Sequence, residues 1–142
     1  MTAEPLAVLD TNILAGALFP RRSAPRRVLE AFLAGEFRIA LTQPVFDEMR
    51  LILGKMRAAR PRLPDGMNVD DLLALMKERA AWVDPITIDS PLCEDPDDDK
   101  LFACAAAARA DYLVSNDTLV LDVVEFEGVR VIRAGEFLKR LG

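Results

Sequence analysis

Asp95-Pro96-Asp97-Asp98-Asp99-Lys100 sets four carboxylates within five positions and runs without a break into the apolar stretch Leu101-Phe102-Ala103-Cys104-Ala105. A loop that is merely solvated has no need to turn so dense an acidic cluster straight into a buried helix. Three further acids stand where other elements would deliver them. Asp10 closes the apolar run Leu6-Ala7-Val8-Leu9, Asp117 lies just past Tyr112-Leu113-Val114-Ser115, and Glu48 falls within a helical stretch. In open α/β sheets ligands gather beyond the carboxyl ends of the strands, so these acids can meet at one sheet edge.

Two choices among neighbouring acids follow from helical geometry at about 100° per residue. Val45, Met49, Ile52 and Leu53 share a face, with Glu48 at its margin and Asp47 on the polar side near Arg50. Asp98 shares the face of Leu101, Phe102 and Ala105, whereas Asp99 points toward Ala103 and Ala106. The expected site is therefore Asp10, Glu48, Asp98 and Asp117. Asp95 and Asp99 are candidate outer ligands, and Thr11, Asn12 and Ser115 are candidates to orient the acids. Carboxylates at ~4 Å repel by roughly 4 kcal/mol per pair at an effective dielectric of ~20. A cation or protons must relieve such a cluster. An all-oxygen donor set selects Mg²⁺ or Mn²⁺ over zinc, and such a site activates water for displacement at phosphorus.

The elements that must position these residues alternate. Strands are expected at residues 6–9, 37–41, 112–115 and 129–132. An edge strand is expected at 83–88, interrupted by Pro85. A short helix is expected at 13–19, closed by Pro20. Ser23, Thr42 and Asn68 are expected to cap helices, the first two carrying Pro25 and Pro44 in their first turns and the third carrying Asp70 and Asp71. Residues 55–68, with Pro61, Pro64 and Gly66, form an expected exposed basic loop. Further helices are expected at 98–109 and 135–141, with a helical turn at 119–124. With no repeat and no linker, the pattern is one α/β domain spanning residues 1–142, with a mostly parallel sheet flanked by helices.

Composition narrows the chemistry. The chain has 142 residues, 51% of them hydrophobic, enough for a sizeable core. It contains no His, which removes imidazole catalysis and His-based zinc sites. No uncharged apolar run is long enough for a membrane span, and the opening Met-Thr-Ala-Glu-Pro lacks the character of a signal peptide. Cys93 and Cys104, without a tight motif, read as reduced and inert thiols. These features point to the cytoplasm. The net charge of −5 conceals an asymmetry: residues 21–62 hold ten basic and four acidic side chains, and residues 63–99 two basic and eleven acidic. Arg21, Arg22, Arg26, Arg27, Lys55, Arg57, Arg60 and Arg62 are a solvated face or a surface for phosphates.

These residues resemble the PIN-domain nucleases. Val8-Leu9-Asp10-Thr11-Asn12 is similar to the family's opening motif, and Glu48 in Pro44-Val45-Phe46-Asp47-Glu48-Met49 to its second acid. The run from Asp95 to Lys100 with Ala103-Cys104-Ala105 resembles the third block, and Ala110-Asp111-Tyr112-Leu113-Val114-Ser115-Asn116-Asp117 the fourth, with Ser115 where Thr is common. The resemblance implies a Rossmann-like sheet, Mg²⁺ or Mn²⁺ in an acidic pocket, and hydrolysis of single-stranded or structured RNA. Many small bacterial members are VapC-like toxins held by an antitoxin, and many form homodimers.

Three other functions compete. An aspartyl-nucleophile phosphotransferase would suit Asp10 but wants an acid where Asn12 stands. A calcium loop is suggested by Asp95, Asp97 and Asp99, but Lys100 replaces the turn Gly and Ala106 the closing Glu. A catalytically weak or inactive PIN fold acting through partner binding is the third. Asp10 and Asp117 also suit caps of the turns that follow them, and Trp82 suits core or interface.

Overall fold

A computed structural model describes residues 4–142. The expectation about the opening residues falls in part on residues 1–3, outside the described residues. Six strands form one sheet in the order β3-β2-β1-β4-β6-β5: β1 Leu6–Leu9, β2 Arg38–Leu41, β3 Ala81–Trp82, β4 Tyr112–Val114, β5 Glu125–Phe126 and β6 Val129–Ile132. All pairings are parallel except β5 with β6. The helices are α1 Thr11–Gly16, α2 Ala24–Leu33, α3 Gln43–Lys55, α4 Val69–Arg79, α5 Asp99–Ala108, α6 Thr118–Leu121 and α7 Ala134–Leu141. The chain thus has an α/β fold with a mostly parallel sheet flanked by helices.

The central strands read as continuous apolar runs because helices cover both faces of a parallel sheet. Ala7, Val8, Leu113 and Val114 are fully buried, and Phe37, Tyr112 and Phe137 pack edge to face beneath α7. Ser23 accepts a hydrogen bond from the Arg26 N–H, Thr42 from the Val45 N–H, and Asn68 from the Asp71 N–H, so all three expected caps start helices where local chemistry placed them. The Asn68 end is a reciprocal capping box, with Asp71 accepting from the Asn68 N–H.

The structure departs from expectation most at four places. The first helix starts at Thr11 rather than residue 13, because Asp10 is its N-cap. The strand expected at 83–88 is instead β3, two residues long and ending before Pro85, which cannot donate to a ladder. The unexpected β5 folds back on β6 through Glu127 and Gly128, both at positive φ. Residues 55–68 expose Lys55, Arg57, Arg60 and Arg62 as expected but are more regular than a loop. They contain two 3-10 turns, Leu63 is buried, the Arg62 N–H donates to Leu18 O, and the Arg26 guanidinium donates to Arg62 O. Trp82 is 40% exposed, its ring edge to face with Phe46 and its Nε1 donating to Lys77 O. No helix among the described residues is long and apolar enough to cross a membrane.

Candidate active site

The two central strands β1 and β4 lie side by side and end together, which fixes Asp10 against Ser115. The Asp10 N–H extends the ladder to Val114 O (2.9 Å), and the Ser115 N–H extends it to Ile132 O (3.0 Å). Both side chains are then forced to one place. The Ser115 hydroxyl donates to Asp10 Oδ2 at 2.7 Å, and the other Asp10 oxygen accepts the Asn12 N–H at 3.2 Å. Ser115 Oγ also accepts the Asp117 N–H at 3.0 Å. One buried hydroxyl therefore orients the first acid and the backbone of the last. Asp117 Oδ1 accepts the Leu119 N–H at 2.9 Å, capping α6. Asp10 and Asp117 are both caps, and capping uses only some of their lone pairs.

Glu48 arrives from α3, half-buried as its marginal position on the helix requires. The Thr11 hydroxyl donates to Glu48 Oε2 at 3.2 Å, and the Lys100 ammonium lies 2.9 Å from Oε1. Asp47 faces away, bonded to Gln43 and Arg50.

Asp98 and Asp99 part company at the start of α5. Pro96–Asp98 form a 3-10 turn, and the α-helix proper begins one residue later than the sequence suggests. Asp99 turns back to accept the N–H groups of Leu92 (3.1 Å) and Cys93 (3.0 Å), which fastens the preceding loop. Asp95 is engaged in the same way by the Asp97 N–H at 3.0 Å. Asp99 thus anchors the preceding loop and Asp95 caps the 3-10 turn. Asn12 contributes its backbone, and its side chain is exposed. Asp98 occupies the N-cap position of α5 with no side-chain capping bond. Burial pushes its carboxyl up to about 6, and repulsion from Asp10, Asp95, Asp117 and Glu48 adds to the shift. Burial likewise raises Asp10 above the usual carboxylate range. The Ser115 and Asn12 bonds oppose that shift, and Asp117 and Glu48 reinforce it.

Asp10 therefore stands in the field of Asp117 and Glu48, and Asp98 in that of Asp10, Asp117 and Glu48. Among the described residues, no three acids or thiols are already drawn into a metal-holding group. The donor chemistry nevertheless fits a hard divalent cation: four carboxylates, two of them raised in pKa, with hydroxyls behind them and no imidazole. Lys100 has a place here that composition did not disclose. It bonds Glu48 and also Asp97 at 3.1 Å. Burial disfavours its charge, but the bonds to Glu48 and Asp97 outweigh burial, and the ammonium is held protonated. Only the i,i+3 relation to Asp97 was legible, because Glu48 is brought by another helix. Cys93 and Cys104 are buried and free, and burial pushes their thiols up to about 12 and about 11.

The α/β fold with its mostly parallel sheet, and the acids beside the ends of β1 and β4, agree with the family comparison: the PIN domain model matches residues 7–119, and the chain belongs to the PIN-domain family. A comparison with curated proteins finds no match. The PIN domain is a nuclease fold whose members generally depend on divalent metal ions.

Proposed function

We propose that the chain is a metal-dependent ribonuclease that hydrolyses phosphodiester bonds with Mg²⁺ or Mn²⁺. Asp98 carries the proposal: a half-buried carboxylate whose side chain anchors nothing among the described residues, held at a raised pKa first by burial and then by repulsion from Asp10, Asp95, Asp117 and Glu48. A group with no structural task in so unfavourable a field is best explained by a cation it serves. Asp10, Glu48, Asp98 and Asp117 would hold that ion. Bound there, it supplies positive charge that favours attack by water and stabilises the charge developing on the phosphate. Ser115 keeps Asp10 and Asp117 in register, and Thr11 aims Glu48. An inward-facing carboxylate not fully engaged by a cation can accept a proton from water.

The test is cleavage of single-stranded and structured RNA with Mn²⁺, with EDTA, and with Asp98→Asn. Cleavage that needs the metal and disappears in the variant supports the proposal. Equal cleavage by wild type and Asp98→Asn would sink it. The role we assign beyond catalysis is toxin of a toxin–antitoxin pair in the cytoplasm, supported by the resemblance of the four motif blocks. A cognate antitoxin and a second copy of the chain would be its partners. The exposure of Leu51 (60%) and Trp82 (40%) supports the homodimer, which sedimentation would check. One observation favours a second reading, partner binding without turnover: Lys100 already neutralises Glu48. Under that reading, Mn²⁺ binds neither wild type nor variant.

A further inference from the structure

Beside the acidic site, α2 and α7 pack together and leave an open cleft of about 1140 Å³. Its charged lining is Arg27 from α2 with Arg133, Glu136, Lys139 and Arg140. Arg140 is paired with Glu136 at 3.0 Å. Arg27, Arg133 and Lys139 are exposed and have no carboxylate partner among the described residues. Arg133 sits at the N-cap of α7, where its donor-only guanidinium cannot cap the helix and, among the described residues, has no ion-pair partner.

The cleft is joined to the acidic site through Asn116. That residue lines the cleft, lies between Ser115 and Asp117, and accepts the Ala134 N–H on Oδ1 at 3.2 Å. At the other end, Arg27 is shared with a second hollow of about 590 Å³ that contains Arg21, Arg22 and Arg26. Arg26 is committed to Ala17 O and Arg62 O, whereas Arg21 and Arg22 are exposed. Glu30 also lines the second hollow, but Arg133, Lys139, Arg27, Arg21 and Arg22, without an ion-pair partner among the described residues, form a band from the Asn116 side of the cleft past the start of α2.

We infer that this band is the track for the phosphodiester backbone of a single-stranded RNA, with Arg133, one residue past β6, nearest the acidic site, Lys139 on the α7 wall of the cleft, and Arg27 leading to Arg21 and Arg22. The inference rests on the ribonuclease reading and names where its substrate lies. Guanidinium and ammonium groups spread along a groove suit repeating phosphates and carry no base information, so the contact is independent of sequence. It also offsets the repulsion that the four acids exert on an incoming polyanion.

The test uses the whole chain and a fluorescent twelve-nucleotide uridine RNA, with anisotropy read in EDTA across a salt series. Arg133→Ala combined with Lys139→Ala should weaken binding about tenfold at low salt and lower the logarithmic salt slope by about 0.7 per cation removed. Both residues are exposed, so the fold should survive, as circular dichroism will show. Mn²⁺ binding should be unchanged in the double variant. Wild-type affinity in the double variant, or no binding of the RNA by wild type, would overturn the track. So would tighter capture of polyglutamate than of the RNA, which would assign the cleft to an acidic protein segment. Failure of the track leaves Mn²⁺ binding intact, whereas failure of the nuclease reading removes that binding itself.

Discussion

The acidic strand ends and the basic cleft between α2 and α7 are separated by one residue, Asn116, yet they are built on opposite plans. At the strand ends most acids are tied down: Asp10 by Ser115 and Asn12, Glu48 by Thr11 and Lys100, Asp117 by Leu119, and Asp99 by Leu92 and Cys93. In the cleft Arg27, Arg133 and Lys139 are bonded to no carboxylate among the described residues and stand in solvent. The difference teaches where preorganisation is needed. Like charges crowded at a reacting centre must be held by a framework, because left alone they would separate. Cations that meet a flexible polyanion gain little from rigidity, and solvation costs them little while they wait.

Within the acidic region Asp98 breaks the plan, and substitutions there should have the largest effect. Asp98→Ala should reduce metal-dependent RNA cleavage by about a hundredfold or more, the usual cost of removing one electrostatic stabiliser. Its circular dichroism should stay native, since no capping bond is lost. Asp10→Asn should reduce cleavage similarly while leaving the fold intact, because the amide can still accept from the Asn12 N–H and pair with Ser115. Retained cleavage in either variant would remove that acid from the site.

Lys100→Met tests the framework rather than the chemistry. It leaves Glu48 half-buried with only the Thr11 bond, so the protein in EDTA should lose about 1–2 kcal/mol in urea unfolding. The same variant should bind Mn²⁺ several-fold more tightly, since one competing positive charge is gone. Weaker Mn²⁺ binding would mean that Lys100 positions the acids and does not compete for them.

The smallest effect is expected from Asp98→Asn in EDTA, and it depends on pH. The carboxyl is raised from 3.8 unfolded to about 6 folded, so the folded state binds more protons between these values. Wild-type stability attributable to this group is therefore greatest below about 4, falls as pH rises through about 6, and is constant above. The variant lacks this loss. Its melting temperature should exceed that of wild type at pH 8, with the gap narrowing at pH 5. A destabilised variant at pH 8 would make Asp98 a structural residue.

The features that the sequence made legible are those decided locally. Ser23, Thr42 and Asn68 cap their helices because a side-chain oxygen and the N–H three residues on suffice. Asp10 and Asp117 were placed because apolar runs end at them. The placement of Glu48 over Asp47 rested on helical periodicity, and Asp47 indeed faces outward to Gln43 and Arg50. What was not legible depends on partners distant in sequence. The two-residue β3 exists because Ala40 and Leu41 pair with Ala81 and Trp82. The diversion of Asp99 to Leu92 and Cys93 requires the loop to double back. Lys100 meets Glu48 only because α3 and α5 pack against each other. The cleft draws Arg27 and Arg133 together from positions that no local pattern relates.

The central claim is that the repulsion at Asp98 exists to be relieved by a divalent cation. Titration of Mn²⁺ into wild type and Asp98→Asn by calorimetry tests it without knowledge of the RNA. Binding by wild type that is lost or weakened at least tenfold in the variant is the predicted result. No binding by wild type, or equal binding by both, would contradict it and leave the four acids as a structural cluster on a partner-binding domain.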